Sequence, residues 1–272
     1  MLYSFTGGAD GGLAAAGLIF DAAGNLYGAT VYGGAYGNCD AGFDGCGVVF
    51  KLAPNPTGTW TEGVIYSFGS TRADGAHPGA GLVFDTAGDL YGTTETGDAS
   101  DGGTVFKLKH NPDGTWTESV LHSFPADSQD GVNLYGGLVY DAAGNVYGTT
   151  GGGGAYGYGL VFKLEPQPDG TWTESVLYSF TGGADGRGPV AGVIFDAAGN
   201  LYGTTYFGGA DGYGAVFKLT PTSSGWKETA VHSFIGFGRY PVAPVIFDPA
   251  GNLYGTTGQG NGNGGLVFEI TR

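Results

Sequence analysis

The chain has 272 residues, of which 58 are glycine, and its aromatic fraction of 14% exceeds its charged fraction of 13%. This balance excludes a disordered chain, which is rich in charge, and a helical bundle, because each glycine costs a helix about 1 kcal/mol. No stretch approaches the ~20 apolar residues of a membrane helix. A net charge of −15 disfavours nucleic acid and anionic lipid as partners. We therefore expect a monomeric all-β protein that binds no nucleic acid and does not insert into membranes.

Five copies of one repeat run along the chain, 52 to 64 residues apart. Each copy has a turn of the form Asp-x-x-Gly-Asn/Asp, then Leu/Val-Tyr-Gly, and further on Val-Phe. In four copies a Trp follows and opens a segment that ends in Tyr/His-Ser-Phe. The β-branched and aromatic runs between turn residues predict four short strands per copy, named A to D in chain order. In the first copy they are Gly17–Asp21, Asn25–Thr30, Val48–Leu52 and Trp60–Phe68.

Five units of four strands are typical of a β-propeller. We predict one propeller domain over residues 1–272, in which the A to C strands of the five blades cover 13–52, 78–108, 134–164, 189–219 and 242–270. The chain begins with a D-type segment, Leu2–Phe5, and stops just after the fifth C strand. We therefore expect residues 2–5 to pair as the fourth strand of the fifth blade and to close the ring, which would leave no open sheet edge.

The string from Phe-Thr-Gly-Gly-Ala-Asp-Gly through Asp-Ala-Ala-Gly-Asn-Leu-Tyr-Gly-Thr-Thr to Val-Phe-Lys-Leu resembles the GloVer tandem repeat of bacteria. The resemblance covers all five units, and the A–B part is similar, more distantly, to NHL-type propeller repeats. It implies a secreted or surface-anchored protein and no particular reaction. Met1 is followed directly by strand-like residues, so neither a signal peptide nor an anchor is visible in this sequence. We expect an extracellular or cell-surface location.

Residues that recur in every unit are predicted to serve the fold. In each Asp-x-x-Gly turn the aspartate caps the turn with its side chain, and calcium binding is the alternative role. The recurring Tyr and Phe are predicted to pack between blades. No metal site and no cofactor other than calcium is expected, because zinc needs four ligands and the chain has two cysteines. These two, Cys39 and Cys46, lie in the first B–C loop and predict a disulfide formed in an oxidising compartment.

A ligand site should lie where the repeat is broken, on the face formed by the D–A and B–C connections. This face carries Gly-rich loops, aromatics, carboxylates and three of the four arginines, a combination suited to sugar. The candidate ligand-binding residues are Arg72, Asp74, His77, Asp130, Asp185, Arg187, Arg239 and Tyr240. The alternatives are a solvated loop face, Asp-Gly pairs that only cap turns, and arginines that pair with neighbouring aspartates.

Two functions remain open from the sequence. The first is a secreted or cell-surface binding or scaffold module that recognises a polysaccharide or other glycan through this loop face. The second is a carbohydrate-active enzyme, a glycoside hydrolase or a polysaccharide lyase, with one asymmetric site on the same face. No catalytic residue can be assigned, and the fold alone does not choose between them.

Overall fold

The computed structural model describes residues 1–37, 39, 45–97, 101–126, 129–236, 238–260 and 264–271, apart from the side chains of Arg72 and Asp101. Within this part of the chain the secondary structure consists of β-strands and one short 3-10 helix, Arg72–Asp74. No helix formed by these residues is long and apolar enough to cross a bilayer.

The strands form five antiparallel sheets, each built from consecutive segments of the chain. The first two sheets contain β1 (Ile19–Phe20), β2 (Leu26–Thr30), β3 (Val48–Pro54) and β4 (Trp60–Ser67), and then β5 (Val83–Phe84), β6 (Leu90–Thr94), β7 (Asp101–His110) and β8 (Trp116–Pro125). The next two contain β9 (Val139–Tyr140), β10 (Val146–Thr150), β11 (Leu160–Pro166) and β12 (Trp172–Ser179), and then β13 (Ile194–Phe195), β14 (Leu201–Thr205), β15 (Ala215–Thr222) and β16 (Gly225–Ser233). The fifth contains β17 (Ile246–Phe247), β18 (Leu253–Thr257) and β19 (Leu266–Ile270).

These sheets are the blades of a five-bladed β-propeller, and the repeat predicted them in the right order. Neighbouring strands in each sheet are neighbours in sequence, so the strands A to D correspond to β1 to β4 and their equivalents. By its internal contacts the chain divides into two compact units, Met1–Ala126 with the first two blades and Asp127–Arg272 with the other three. The single domain over 1–272 stays a prediction.

Each pair of successive blades within a unit shares an apolar core. In the first unit Tyr27, Val49 and Phe68 of the first blade pack with Leu90 and Phe106 of the second. In the second unit the equivalent residues of the third and fourth blades form the same cluster, and those of the fourth and fifth form another. The recurring Tyr and Phe therefore pack between blades, as predicted.

One close approach explains the glycine of Leu-Tyr-Gly. In every blade the ring of the C-strand phenylalanine lies over this glycine, and a Cβ there would come closer than 3.0 Å to the ring, as Gly28 shows against Phe50. The D-strand phenylalanine of the preceding blade then meets the same ring edge-on, with centroids 5.0 Å apart for Phe68 and Phe106. Identical 5.0 Å contacts join Phe180 to the fourth blade and Phe234 to the fifth.

The N-terminal segment occupies this D-type position against the first blade. Phe5 contacts Phe50 edge-on at 4.8 Å, and Tyr3 and Phe5 pack on the cluster that contains Leu26 and Val48. Residues 2–5, predicted as the fourth strand of the fifth blade, are not assigned to a strand, and the fifth sheet has three strands among the described residues. Closure of the ring through this segment stays a prediction.

We expect Phe5→Ala to lower the free energy of unfolding by about 1–3 kcal/mol, less than for a fully buried phenylalanine because Phe5 is half-buried. Urea denaturation followed by fluorescence measures the change. Ser4→Ala, at an exposed neighbour, is the control and should change stability by under about 0.5 kcal/mol. An unchanged stability for Phe5→Ala would show that the segment does not support the first blade.

Candidate functional site

The turn aspartates between strands A and B are used by the fold. The Oδ1 atom of Asp21 accepts hydrogen bonds from the backbone N–H groups of Ala23 and Asn25, both at 2.9 Å. Its Oδ2 atom accepts from the Asn25 side-chain amide at 2.6 Å and from the Tyr27 hydroxyl at 3.0 Å. Asp141 makes the same four bonds in the third blade. The capping role predicted from the sequence is confirmed, and each carboxylate is already surrounded by donors.

The aspartates of the Asp-Gly pairs on the D–A connections also bond within their own loops. Asp185 accepts from the Tyr178 hydroxyl at 3.0 Å and from the backbone N–H and hydroxyl of Thr181, both at 2.7 Å. Asp74 accepts in the same way from the Tyr66 hydroxyl at 2.9 Å and from Ser70. Both residues are buried, with exposed fractions of 8% and 4%. These two candidate residues therefore hold the D strand to its following loop.

A second set of carboxyl groups is buried beside these aspartates. Each belongs to the residue two positions after the tryptophan of a D strand, and their Oε1 atoms are buried without a hydrogen-bond partner among the described residues; they are Glu62, Glu118, Glu174 and Glu228. Burial and, to a smaller extent, a nearby aspartate together raise the pKa of Glu118, Glu174 and Glu228 to about 7. For Glu174 this aspartate is the candidate residue Asp130.

Four of the candidate residues follow the aspartate position of a D–A connection by two or three residues: His77, Arg187, Arg239 and Tyr240. His77 and Tyr240 are equivalent to Leu13, Asn133 and Gly188, and these five positions share a left-handed backbone with φ between 56 and 64°. At His77 the backbone N–H donates to the Cys46 carbonyl at 2.8 Å, and the His77 carbonyl accepts from the Glu95 N–H at 3.1 Å. These hydrogen bonds hold the backbone and do not involve the side chain, so the residue type at this position can differ from blade to blade.

The residue just before the left-handed position bridges to the loop that follows strand B. Arg187 pairs with Phe207 in this way, and Arg239 pairs with Gln259. In this register Gly238 corresponds to the glycine of the Asp-Gly pairs in the other units. In the sequence, Phe237 therefore takes the position at which the other units have aspartate. Phe237 itself lies outside the described residues.

These bridges bring two arginines and four aromatic rings into one group in the second unit, which we name the loop cluster: Arg187, Tyr206, Phe207, Tyr213, Arg239 and Tyr240. Tyr240 stacks on Tyr206 with centroids 5.0 Å apart and an interplanar angle of 17°. It meets Phe207 edge-on at 5.4 Å and Tyr213 at 6.2 Å. The left-handed backbone of Tyr240 therefore places its ring at the centre of the cluster.

The arginines of the loop cluster lie over its rings. The Arg187 guanidinium carbon is 4.8 Å from the Phe207 centroid, and that of Arg239 is 4.5 Å from the Tyr213 centroid. Arg239 Nε also donates to the Gly236 carbonyl at 2.8 Å. Neither arginine forms an ion pair with a carboxylate of the described residues. Stacking fixes the plane of each guanidinium and leaves N–H donors for another partner.

The predicted site residues thus separate into groups. Arg187, Arg239 and Tyr240 lie together in the loop cluster of the second unit, whereas Asp74 and His77 lie in the first unit. His77 is buried, its Nδ1 lies 3.3 Å from the Thr96 hydroxyl, and its ring meets that of Tyr32 edge-on. The side chain of Arg72 lies outside the described part of the structure.

Tyr206, Phe207 and Tyr213 lie outside the set of ligand-binding residues predicted from the sequence, although they complete the loop cluster. They follow strand B or precede strand C of the fourth blade, so they are loop residues by sequence. The signal that could have found them is the register of the repeat, since Tyr206 and Phe207 directly follow Leu-Tyr-Gly-Thr-Thr.

Cys39 and Cys46 form the predicted disulfide in the first B–C loop. Among the residues that the structure describes, no three His, Cys, Asp or Glu side chains gather as a metal site requires. Calcium binding by the loop aspartates stays a prediction.

The chain matches a known family and a set of solved structures. The model of the Gloeobacter/Verrucomicrobia repeat matches residues 111–272. Comparison of the sequence with curated proteins finds no match. Among solved structures the chain is similar to a protein of unknown function from Dyadobacter fermentans, with a TM-score of 0.51 and 13% identity over 88% of this chain and 73% of that one.

Two further structures come from Bacteroides thetaiotaomicron. An endo-arabinase gives a TM-score of 0.47 and 15% identity over 96% of this chain and 94% of that one. The extracellular domain of a hybrid two-component system gives 0.49 and 14% over 92% of this chain, which spans 27% of that protein's chain. At these identities the similarity concerns the fold alone.

The buried glutamates predict that the protein loses stability as the pH rises. In the folded protein the pKa of Glu118, Glu174 and Glu228 is about 7, above the ordinary value of 4.5. Their contribution to the free energy of unfolding is therefore fully present below pH 4.5 and is lost as the pH rises toward 7. Aspartates with a lowered pKa, such as Asp10, act oppositely, and their contribution is lost as the pH falls below 3.8. We expect the highest melting temperature between these two limits.

The triple variant with glutamine at the three positions removes the ionisation, and its melting temperature should stay flat where that of the parent falls. Melting curves recorded from pH 4 to 8 by circular dichroism test this. An equal fall in parent and variant would assign the pH dependence to other groups.

At the position with the left-handed backbone, we predict that two substitutions change the free energy of unfolding in opposite directions. Leu13 is 59% exposed with φ of 56°, so Leu13→Gly relieves its steric strain and should raise the free energy of unfolding by about 0.5–1 kcal/mol. Gly188→Ala introduces the same strain and should lower it by about 1 kcal/mol, since a Cβ there meets only ordinary contacts. Chemical denaturation gives both values, and a shared sign would contradict the assignment.

Proposed function

The chain belongs to the family of the Gloeobacter/Verrucomicrobia repeat, and we propose that it is a carbohydrate-binding propeller that acts outside the cytoplasm through its loop cluster. The observation that carries this proposal is the grouping of Arg187, Arg239 and Tyr240 with three further aromatic rings. Side chains of these two kinds supply the stacking planes and forked donors that sugars require.

The rings of the loop cluster are accessible to a ligand. Phe207 is 37% exposed, and Tyr158, whose ring lies 5.9 Å from the Arg187 guanidinium, is 39% exposed. Tyr206, Tyr213 and Tyr240 are half-buried, which keeps their planes fixed by packing. A preorganised aromatic surface loses little side-chain entropy when a sugar ring stacks on it.

Charge favours an acidic sugar at this surface. The chain carries a net charge of −15, and the aspartate nearest to Arg187 in sequence, Asp185, is bonded to Tyr178 and Thr181. Neither guanidinium group of the loop cluster forms an ion pair with a described carboxylate, so both positive charges are available to a ligand. A uronate carboxylate can accept paired N–H donors from such a group, which a neutral sugar does less strongly.

The disulfide supports the location. Disulfides persist in oxidising compartments and are rare in the cytosol, so the bond between Cys39 and Cys46 favours an extracellular or cell-surface protein. It closes a B–C loop, the same class of loop that supplies Tyr206, Phe207 and Tyr213 to the loop cluster.

Binding measurements with polysaccharides test the proposal. We expect the protein to bind polygalacturonate or alginate more tightly than neutral arabinan, xylan or β-glucan in isothermal titration calorimetry. Arg187→Ala should weaken binding about tenfold, because a charged hydrogen bond contributes about 1.5–3 kcal/mol, and Arg187→Lys should weaken it less. Titrations with and without calcium establish whether the cation contributes.

Lys227→Ala is the matched control, because it removes an exposed cation of β16 from the same unit and should leave the affinity unchanged. Melting temperatures confirm that each variant is folded. Equal affinity of Arg187→Ala and the parent for a bound polysaccharide, or binding of none of these polymers, would overturn the proposal. Release of reducing ends or unsaturated products from a bound polymer would show that the protein is an enzyme.

A further inference from the structure

The first unit contains a cleft on the opposite set of connections, the A–B and C–D turns. Its volume is about 800 Å³, within the range of small-molecule sites. We name it the turn cleft, and its main lining residues are Phe20, Tyr27, Lys51, Phe84, His110 and Trp116. The turn aspartates Asp21 and Asp85 complete the wall.

The second blade departs from the repeat at two positions beside this cleft. Asp89 stands where the other blades have an asparagine, and His110 stands where β3, β11 and β15 have a proline. The two departures are coupled, because the backbone N–H of His110 donates to Asp89 Oδ1 at 2.9 Å, a bond that proline cannot make. Lys107 completes the arrangement with an ion pair to Asp89 at 2.8 Å.

The substitution of proline by histidine adds a ring to an aromatic wall. The imidazole of His110 lies 4.6 Å from the Trp116 ring, tilted by 39°, and Tyr27 approaches Trp116 edge-on at 6.3 Å. Phe20, at the end of β1, also lines the cleft and is 67% exposed. The turn cleft therefore presents apolar planes on both sides of an open space.

Polar groups suited to hydroxyls lie on the same walls. Lys51 Nζ lies 5.7 Å from the Tyr27 centroid and forms no ion pair with a described carboxylate. The His110 ring is exposed and makes no hydrogen bond to the described residues, so both side chains have donors to offer. Asp21 and Asp85 line the same cleft as Lys51, and their carboxylates disfavour an anionic ligand.

We propose that the turn cleft is a second binding site, separate from the loop cluster, which takes a ring of a neutral oligosaccharide. One sugar ring lies against Trp116, and its hydroxyls receive hydrogen bonds from His110 and Lys51. The site goes beyond the proposed function because it uses other residues, another set of turns and a ligand without charge.

Restoring the repeat sequence tests this site with little risk to the fold. The double variant Asp89→Asn with His110→Pro gives the second blade the residues that the first, third and fourth blades already have. Neutral tetrasaccharides of glucose, xylose, arabinose and mannose serve as probes in saturation-transfer NMR and calorimetry. We expect the parent to bind at least one of them and the double variant to bind it about three- to tenfold more weakly.

A matched tryptophan pair separates binding from packing. Trp226 of the fourth blade packs on the cluster of Tyr147 as Trp116 packs on that of Tyr27, but its strand partner is Pro221. Trp116→Phe should weaken binding, whereas Trp226→Phe and Arg187→Ala should leave it unchanged. The proposal is overturned if no probe binds, if the double variant binds as the parent does, or if Trp226→Phe is equally weakened.

Discussion

The arrangement of the blades depends on a phenylalanine ring that lies directly over a glycine of the adjacent strand. In each sheet the ring fills the space that a Cβ would need, as Phe106 does over Gly92. The same ring then contacts the D-strand phenylalanine of the preceding blade edge-on at 5.0 Å, as Phe106 contacts Phe68. Because one ring satisfies both contacts, strand pairing within a blade and packing between blades use the same atoms. Neither residue can change without disturbing both levels.

The repeat also determines which polar side chains are available to bind a ligand, because it fixes which of them are hydrogen-bonded within the fold. The turn aspartates, exemplified by Asp21, and the loop aspartates, exemplified by Asp185, accept hydrogen bonds from their own turns and from tyrosine hydroxyls. These carboxylates are therefore used by the fold. What remains are side chains in which the units differ, and the loop cluster and the turn cleft are each built around such differences, at Arg239 and at His110.

Much of the fold follows from the sequence, and less of the site does. Spacing and turn residues predicted five blades, the capping by Asp21 and the disulfide, because all of these are local or repeated. The hydrogen bond that Asp74 accepts from Tyr66 was harder to predict, since Tyr66 lies in the preceding strand and only the loop geometry brings the two side chains together. The contact of Arg187 with Phe207 depends on a bridge between two loops, whose register the strand pattern does not encode. Isolated side-chain contacts between loops carry no periodic signal.

The left-handed position has a consequence for how such a chain can diversify. Gene duplication copies the backbone hydrogen bonds that hold this residue, including those at His77, and these bonds do not involve its side chain. The copies can then diverge independently at one fixed point per blade, as Leu13, Asn133, Gly188 and Tyr240 already have. A newly duplicated unit therefore inherits one position at which the side chain can change while the backbone conformation stays the same. Recognition can change one blade at a time while the scaffold stays the same.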